Sequence, residues 1–574
     1  MKYQVITATL TARTAIHIGS GEGSDLTDAL VRRDAHKQPF IPGTAIAGAL
    51  RSLLTRLAPR LNAIPCVVLD EEEKHRKNSC NCEVCHLFGD VNPSDEDWAV
   101  SEASKLLVFN ARPSKKLLPP MIRDGVGIER ATGVAARAGA VKFDLEVIPA
   151  GAVFELRMEL RDTNQNDELL LAAGLAEWKA GRFWLGGRVA RGLGAFTLCD
   201  MQFKTLDLDT RNEVLAFLGN DKPWEEAQRV DRWFEDELGS IRCFSSAKGK
   251  PETIARSWFS LTGTLQADGP LLTNDPLASG SSGFAHAPLL AYWGNWQQPV
   301  LTGAGLRGVL RSHAEKLART LAILQHENKD DFLHHCPACD PNVREDDERK
   351  RLPLESCDSL LKKSHIPGDA KVSLCLACSL FGSTRRGSRL FVEDAPFQAT
   401  AKQSCPIFKM FDFLAIDRFT GSGAEGLKFD ALAMWKPAFA LQLYLDNPEP
   451  WELGWLWLVL RDMIEGWLTV GFGSAKGFGQ VKLINWAATF GYIQPEDAPL
   501  DITQLELITQ QNGIYTSVQI EEGTENWREI MKRWINAFHK KANSFERPED
   551  IRLNEDNYFD YLEGLYPLVK GGSP

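Results

Sequence analysis

Two cysteine clusters in this chain each run directly into the same tripeptide. The first is Cys80-Asn-Cys82-Glu-Val-Cys85-His-Leu87-Phe88-Gly89. The second is Cys375-Leu-Ala-Cys378-Ser-Leu380-Phe381-Gly382, with Cys336-Pro-Ala-Cys339 upstream. A short spacer between thiolates lets both sulfurs reach one tetrahedral ion. The same arrangement met twice predicts a duplicated domain with a metal-stapled insertion in each copy.

Other landmarks repeat in the same order. Pro39-Phe40-Ile41-Pro42-Gly43 with Gly48, Leu50 and Arg51 recurs as Pro299-Val300-Leu301-Thr302-Gly303 with Gly308, Leu310 and Arg311, 260 residues on. The Leu-Phe-Gly pair is offset by 293. Ile128-Glu129-Arg130 with Thr132-Gly133 matches Ile416-Asp417-Arg418 with Thr420-Gly421, offset by 288. Gly186-Gly187-Arg188 through Gly194 matches Gly471-Phe472-Gly473 through Gly479, offset by 285. Drifting offsets are what loop insertions produce between two copies of one fold. Two copies are too few for a solenoid, so the pattern reads as a tandem duplication.

A chain of 574 residues also exceeds what one core supports. We expect a first domain over 1–204, a helical linker over 205–256, a second domain over 257–484 and a tail of unassigned role over 485–574. No apolar run approaches the ~20 residues that cross a bilayer, and MKYQVITATLTART alternates as a strand rather than as a signal peptide. A cytoplasmic location without membrane contact is therefore expected. There the 12 cysteines favour metal sites over disulfides. Cys199 and Cys405, outside the clusters, read as packed thiols. A net charge of −11 argues against a nonspecific basic nucleic-acid binder but leaves room for a local basic groove. Basic residues do gather near the duplicated motifs.

Hydrophobic patterning gives each copy the order β-α-β-β-α-β, an α+β, ferredoxin-like arrangement. In the first copy we expect a strand at Gln4–Ile18 and a second at Ala29–Asp34. A helix should follow Gly43, capped by Thr44, with Ile46, Leu50, Leu53, Leu54 and Leu57 on one face. A hairpin is expected from Val141 to Leu160, a helix at Leu169–Lys179 and a last strand at Gly192–Leu198. Arg211–Leu238 reads as a charged helix, and Glu525–Lys541 as a helix in the tail.

Four cysteines, Cys336, Cys339, Cys375 and Cys378, form the expected zinc set of the second copy, with Cys357 as a substitute. In the first copy Cys80, Cys82 and Cys85 need a fourth ligand, Cys66 or His75, with Cys66 preferred. Both zinc ions would be structural, holding insertions too small for a core of their own.

The segments ITATLTARTAIHIGSGEG, FIPGTAIAGALRSLL, CEVCHLFGD, IERATG and GGRVARGLG together resemble the RAMP superfamily, and within it the backbone subunit of type III CRISPR effector complexes. The tandem form resembles the double-backbone fusion subunit of type III-D systems. The likeness covers most of 1–204 and, more loosely, 257–484. It implies two RRM-like, modified ferredoxin domains, each with a zinc-binding insertion and a thumb hairpin. It also implies a subunit that binds crRNA and target RNA beside a large polymerase-like subunit and further backbone subunits. Target cleavage would be a metal-dependent 2′-OH attack, with Mg2+ or Mn2+. Counting back from Pro42-Gly43, the catalytic aspartate falls on Asp28, with Asp25 its rival and His17 nearby. The second copy has Gly283-Phe-Ala-His286 where an aspartate belongs, so Asp275 could serve only by another loop path. The thumbs are placed at Glu129–Val141 and Asp417–Phe429. The RNA contacts implied are Arg51, Arg130, Arg137, Arg188 and Arg191, then Arg311, Arg418 and Lys476. Two other readings stay open. One is a non-catalytic scaffold, and the other is an endonuclease that processes crRNA precursors.

Overall fold

The computed structural model describes residues 2–546 except 26, 62, 64–79, 81, 91–100, 131–132, 137–141, 247–256, 327–328, 342–353, 355, 359–373, 385, 500–501, 503–506 and 525–526. In the first half the chain runs β1 (Lys2–Ala12), α1 (Gly43–Leu57), α2 (Glu83–Phe88), β2 (Leu106–Val108), β3 (Met121–Val126), β4 (Lys142–Val147), β5 (Val153–Leu160), α3 (Gln165–Lys179) and β6 (Phe196–Asp207). Helices α4 (Arg211–Leu218) and α5 (Trp233–Ser246) follow. The second half runs β7 (Ser257–Ala267), α6 (Gly303–Gln325), α7 (Leu376–Phe381), β8 (Leu390–Val392), β9 (Phe408–Ile416), β10 (Gly423–Trp435), β11 (Ala438–Asp446), α8 (Pro450–Ile464) and β12 (Val481–Tyr492). Its continuation adds β13 (Thr509–Asn512), β14 (Tyr515–Glu521) and α9 (Trp527–Asn543).

Both halves build the same antiparallel sheet. The first has the order β2-β5-β1-β6 and the second β8-β11-β7-β12, continued by β14 and β13. In each, the first strand is central and the short strand after the cysteines is an edge. This is the β-α-β-β-α-β arrangement of an RRM-like ferredoxin fold. On α1, Ile46, Leu50, Leu53, Leu54 and Leu57 are all buried, the face expected from their spacing.

Several local expectations change. Thr44 does not cap α1; the N-cap is Pro42, and Asn110 Oδ1 accepts the Gly43 N–H at 2.9 Å. Residues Ala29–Asp34 form isolated bridges rather than a strand. The stretch from Val141 to Leu160 is no hairpin. β4 pairs with β3 in a separate two-stranded ribbon, while β5 pairs with β1. Alternation marks a strand but does not name its partner. The last strand of the first half spans Phe196–Asp207 rather than Gly192–Leu198, because Gly192 and Gly194 hold left-handed turns. The expected linker helix is interrupted at Gly219, where α4 ends before Pro223. Strand β12 runs to Tyr492, beyond residue 484, and β14 pairs with it. Helix α9 lies on α8, with Trp534 and Phe538 buried. Gly454 of α8 leaves no room for a side chain, since a Cβ there would sit 2.0 Å from the Trp534 carbonyl oxygen. Burying each such aromatic contributes about 1.5–3 kcal/mol, so the tail belongs to the second core.

The halves meet head to tail. The turn around Gly192 packs on the N-terminus of α6, where a Cβ on Gly192 would fall 2.8 Å from Gly303 Cα. Buried Asp394 accepts the Gly303 N–H at 2.8 Å and pairs with Arg123 at 2.5 Å. Arg13 pairs with Glu393 at 2.6 Å, and Trp184 stacks on Phe391 with ring centroids 4.3 Å apart. No helix among the described residues is long and apolar enough to cross a membrane.

Candidate metal staples and nucleic-acid interface

In the second half, the sulfurs of Cys339, Cys357, Cys375 and Cys378 lie within 4.8 Å of one another, and all four residues are buried. Tetrahedral zinc with ~2.3 Å bonds places its sulfurs roughly 3.8 Å apart, and Cys339 and Cys378 are at 3.6 Å. Burial pushes the Cys375 thiol up, but hydrogen bonds from Cys339, Cys357 and Cys378 outweigh it and hold it well below the ordinary thiol range. Four sulfurs this close ionise together only around a cation, so the donor set fits zinc. Cys336 is not one of the four. Its Sγ bonds the Ala338 carbonyl, and it packs with Ala322, Phe332 and Leu354 in a small apolar cluster. Cys357 takes its place.

The first half brings Cys80, Cys82 and Cys85 together in the same way. Cys66 and His75, the candidate fourth ligands, lie outside the described residues, as does Arg137. Arg51 and Arg311 occupy matched positions, and both point at the cysteines. Arg51 Nη2 is 3.0 Å from Cys85 Sγ and Arg311 Nη2 is 3.4 Å from Cys378 Sγ. Cations beside thiolates stabilise them, and both guanidiniums stand where they would do so. Cys199 is half-buried, but Cys405 is exposed rather than packed.

Asp28 sits on the ribbon of β3 and β4. Its Oδ2 accepts the Asp144 N–H at 2.8 Å, and the Asp144 carbonyl accepts the Asp28 N–H. Asp25 is exposed in the same loop. Asp124 lies opposite Asp144 across the ribbon. Burial, a hydrogen bond that the protonated carboxyl donates to Asp144, and the charges of Asp144 and Asp275 push it up to about 6. Lys142 lies 3.6 Å from Asp144. The Arg188 guanidinium stands 3.9 Å over the Phe143 ring and feels the Asp28 charge. His17 is buried, with Nδ1 on the Glu146 carbonyl at 2.7 Å, against the Gly19 and Gly187 backbones. It braces the turn that carries Arg188. Asp275 caps the short helix at Pro276–Ser282 through the Leu277 and Ala278 N–H groups, a reason for its presence apart from chemistry.

The ribbon has a counterpart in the second half. Asp412 and Asp430 face each other across β9 and β10 as Asp124 and Asp144 do across β3 and β4. Phe429 matches Phe143, and Lys476 Nζ lies 4.4 Å from the Phe429 ring centroid as Arg188 lies over Phe143. Ala285 takes the position of Asp28, and its N–H donates to Asp430 Oδ1 at 2.7 Å. The carboxylate at this junction thus comes from the strand instead of the loop. The tip of the long β9–β10 hairpin is exposed and apolar at Ile416 and Phe419, and Arg418 is exposed beside them.

Arg191 is exposed at the seam between the halves. Arg307 of α6, absent from the expected contacts, belongs to the same cationic group. Burial and the charges of Arg311 and Arg191 hold its guanidinium down at about 9. Arg130 reaches across the seam to Glu315 at 2.8 Å, and Glu315 also holds Arg311 at 2.7 Å and Arg319 at 3.4 Å. The i, i+4 spacing of Arg311, Glu315 and Arg319 is the sequence signal for this hub.

The chain was compared with known proteins. Over 101 residues it is 33% identical to the protein named CRISPR system Cms endoribonuclease Csm3, from Methanothermobacter thermautotrophicus. That match covers 16% of this chain and 36% of the relative, so the chain spans about a third of the curated relative it matches. The family model of the RAMP superfamily matches residues 9–197 and again 288–482, one match in each half. With two matches over the larger part of its length, on two copies of one sheet order, the chain belongs to the RAMP superfamily.

Proposed function

We propose that the chain is a two-unit backbone subunit of a type III CRISPR ribonucleoprotein, acting in the cytoplasm. It binds crRNA along its backbone, receives complementary target RNA and cuts that RNA beside the first ribbon. Its protein partners are the large polymerase-like subunit and further backbone subunits.

The head-to-tail seam carries this reading. Heterologous contacts of this kind extend in a line unless rotation closes them. Gly192 is buried beneath the second half, whereas its counterpart Gly477 is exposed, with open space beside it among the described residues. At the other end, the Gly43 and Asn110 surface of the first half matches the Gly303 and Asp394 surface that receives Gly192. The subunit therefore presents one half-joint at each end.

RNA recognition would rest on Arg188, Arg191, Arg307, Arg418 and Lys476. These cations flank glycine-rich turns whose N–H groups phosphate can approach. Asp28, with Asp124 and Asp144, has the hard oxygen donors that suit Mg2+ or Mn2+. When bound, the ion supplies Lewis-acid polarisation of the scissile phosphate. Asp28 would hold the ion through the oxygen that the Asp144 N–H does not take, and Arg188 would offer its charge to the phosphate. The scaffold reading keeps one observation in its favour, since the Asp28 bond to Asp144 also organises the loop.

The test is guide binding by the assembled complex at graded salt. Steep salt dependence with little sequence preference is expected. A flat salt profile, or strong preference for particular bases, contradicts a backbone role.

A further inference from the structure

The second ribbon lacks the loop aspartate but has a histidine that the first lacks. His286 bridges to Ala431 in parallel, as Ala29 does to Leu145. Its ring lies 4.5 Å from the Phe472 ring and 5.9 Å from the Phe429 ring. Lys476 Nζ lies 5.3 Å from Phe472 and 4.4 Å from Phe429. Imidazole and ammonium thus share the same two aromatic rings, at the position where Arg188 stands near Asp28 in the first half. His286 is half-buried and Lys476 exposed, so the face is accessible.

His286 Nδ1 is 3.3 Å from Asn274 Oδ1. An amide oxygen only accepts, so the ring proton sits on Nδ1 and the lone pair on Nε2. Burial and the Lys476 charge lower the imidazole pKa, against the opposing charge of Asp430. The ring is therefore a neutral base at neutral pH.

We propose that His286 and Lys476 form a second RNA-cleaving centre, in which His286 Nε2 is the general base and no divalent ion takes part. The inference rests on the RNA-binding reading above and extends it to the second half. The substrate is an RNA phosphodiester with its 2′-OH, laid across the base of the β9–β10 hairpin. The 2′-OH gives its proton to Nε2, the O2′–P bond forms, and the P–O5′ bond breaks. The leaving 5′-oxygen takes a proton from water, and the imidazolium returns its proton to the hydroxide so formed. Lys476 offsets the charge that builds on the phosphorane. The products are a 2′,3′-cyclic phosphate and a 5′-hydroxyl.

The experiment uses the assembled ribonucleoprotein carrying Asp28→Ala, end-labelled complementary RNA, and EDTA. One slow cut with a 2′,3′-cyclic phosphate end is expected to persist. His286→Gln should slow it by about 10²–10⁴-fold, the usual worth of a positioned base. Lys476→Ala, at an exposed side chain, should slow it as well. Target RNA retained by the complex with no EDTA-resistant cut overturns the inference and leaves the RNA-binding reading standing. So does a cut that both substitutions leave unchanged. Failure to retain target RNA overturns the RNA-binding reading, and the inference with it.

Discussion

Exchanging Cys357 for serine separates a ligand from a bystander. Cys357 belongs to a set of four buried sulfurs within 4.8 Å, and Cys336 does not. Losing a group that only orients a ligand weakens metal affinity about 10–100-fold. Losing a directly bonded sulfur sets that as a floor, about 1.4–2.7 kcal/mol of site stability. Structural zinc contributes about 10–16 kcal/mol in small domains, so the loss falls on the fold of the second half. Cys357→Ser should lower zinc by about one ion per chain, and residues around α7 should become protease-sensitive. Cys336→Ser should keep its zinc. It buries a hydroxyl next to the Ala338 carbonyl in an apolar cluster, at a cost of about 1–2 kcal/mol. Elemental analysis of both purified variants, with limited proteolysis, decides the matter. Normal zinc in Cys357→Ser with loss in Cys336→Ser would refute the ligand assignment.

Other consequences can be measured separately. Gly192→Ala places a Cβ 2.4 Å from Asp394 Oδ1 at a φ of 99°, so the seam should lose about 2–5 kcal/mol. Gly477→Ala meets nothing within 4 Å but strains a φ of 79°, at about 1–2 kcal/mol, so the isolated chain should stay folded while end-to-end assembly weakens, read by sedimentation. Burial raises the Glu393 carboxyl from 4.5 to about 7, against Arg13. Its folded state then holds the proton more tightly. That contribution, about 3 kcal/mol, is present below pH 4.5 and lost as pH rises to 7. Glu393→Gln should flatten the slope of unfolding stability over that window, and the difference between variant and parent cancels any zinc loss in acid. Arg188→Glu should weaken guide binding and lower the salt slope by about one.

The duplicated fold was legible because its landmarks are steric. A Cβ on Gly43 would lie 2.1 Å from the Val108 carbonyl oxygen, and one on Gly303 would lie 2.2 Å from that of Val392. Only glycine fits there, so the motif survives in both halves. The cysteine pairs next to Leu-Phe-Gly were equally readable. Cys357 was harder to place, because long-range ligands obey no fixed spacing. Charge and the family resemblance nominated Arg51, Arg130 and Arg311, yet each turns to a cysteine cluster or to Glu315. Sequence supplies a cation but not its direction. Strand partners failed for the same reason: Val141–Val147 alternates whether it pairs with β3 or β5. Sequence placed His286 near the missing aspartate, but only the ribbon register sets Ala285 at the position of Asp28 and brings His286 to Lys476, which lies far away in sequence.

Mapping the target-RNA cuts of an Asp28→Ala complex shows whether RNA is cut with the Asp28 carboxylate, as proposed. In Mg2+, one cut should vanish from the ladder while guide and target binding stay at parent levels, because the arginine contacts are intact. An unchanged ladder from a well-assembled Asp28→Ala complex would contradict the catalytic assignment and leave Asp28 as a residue that shapes its loop.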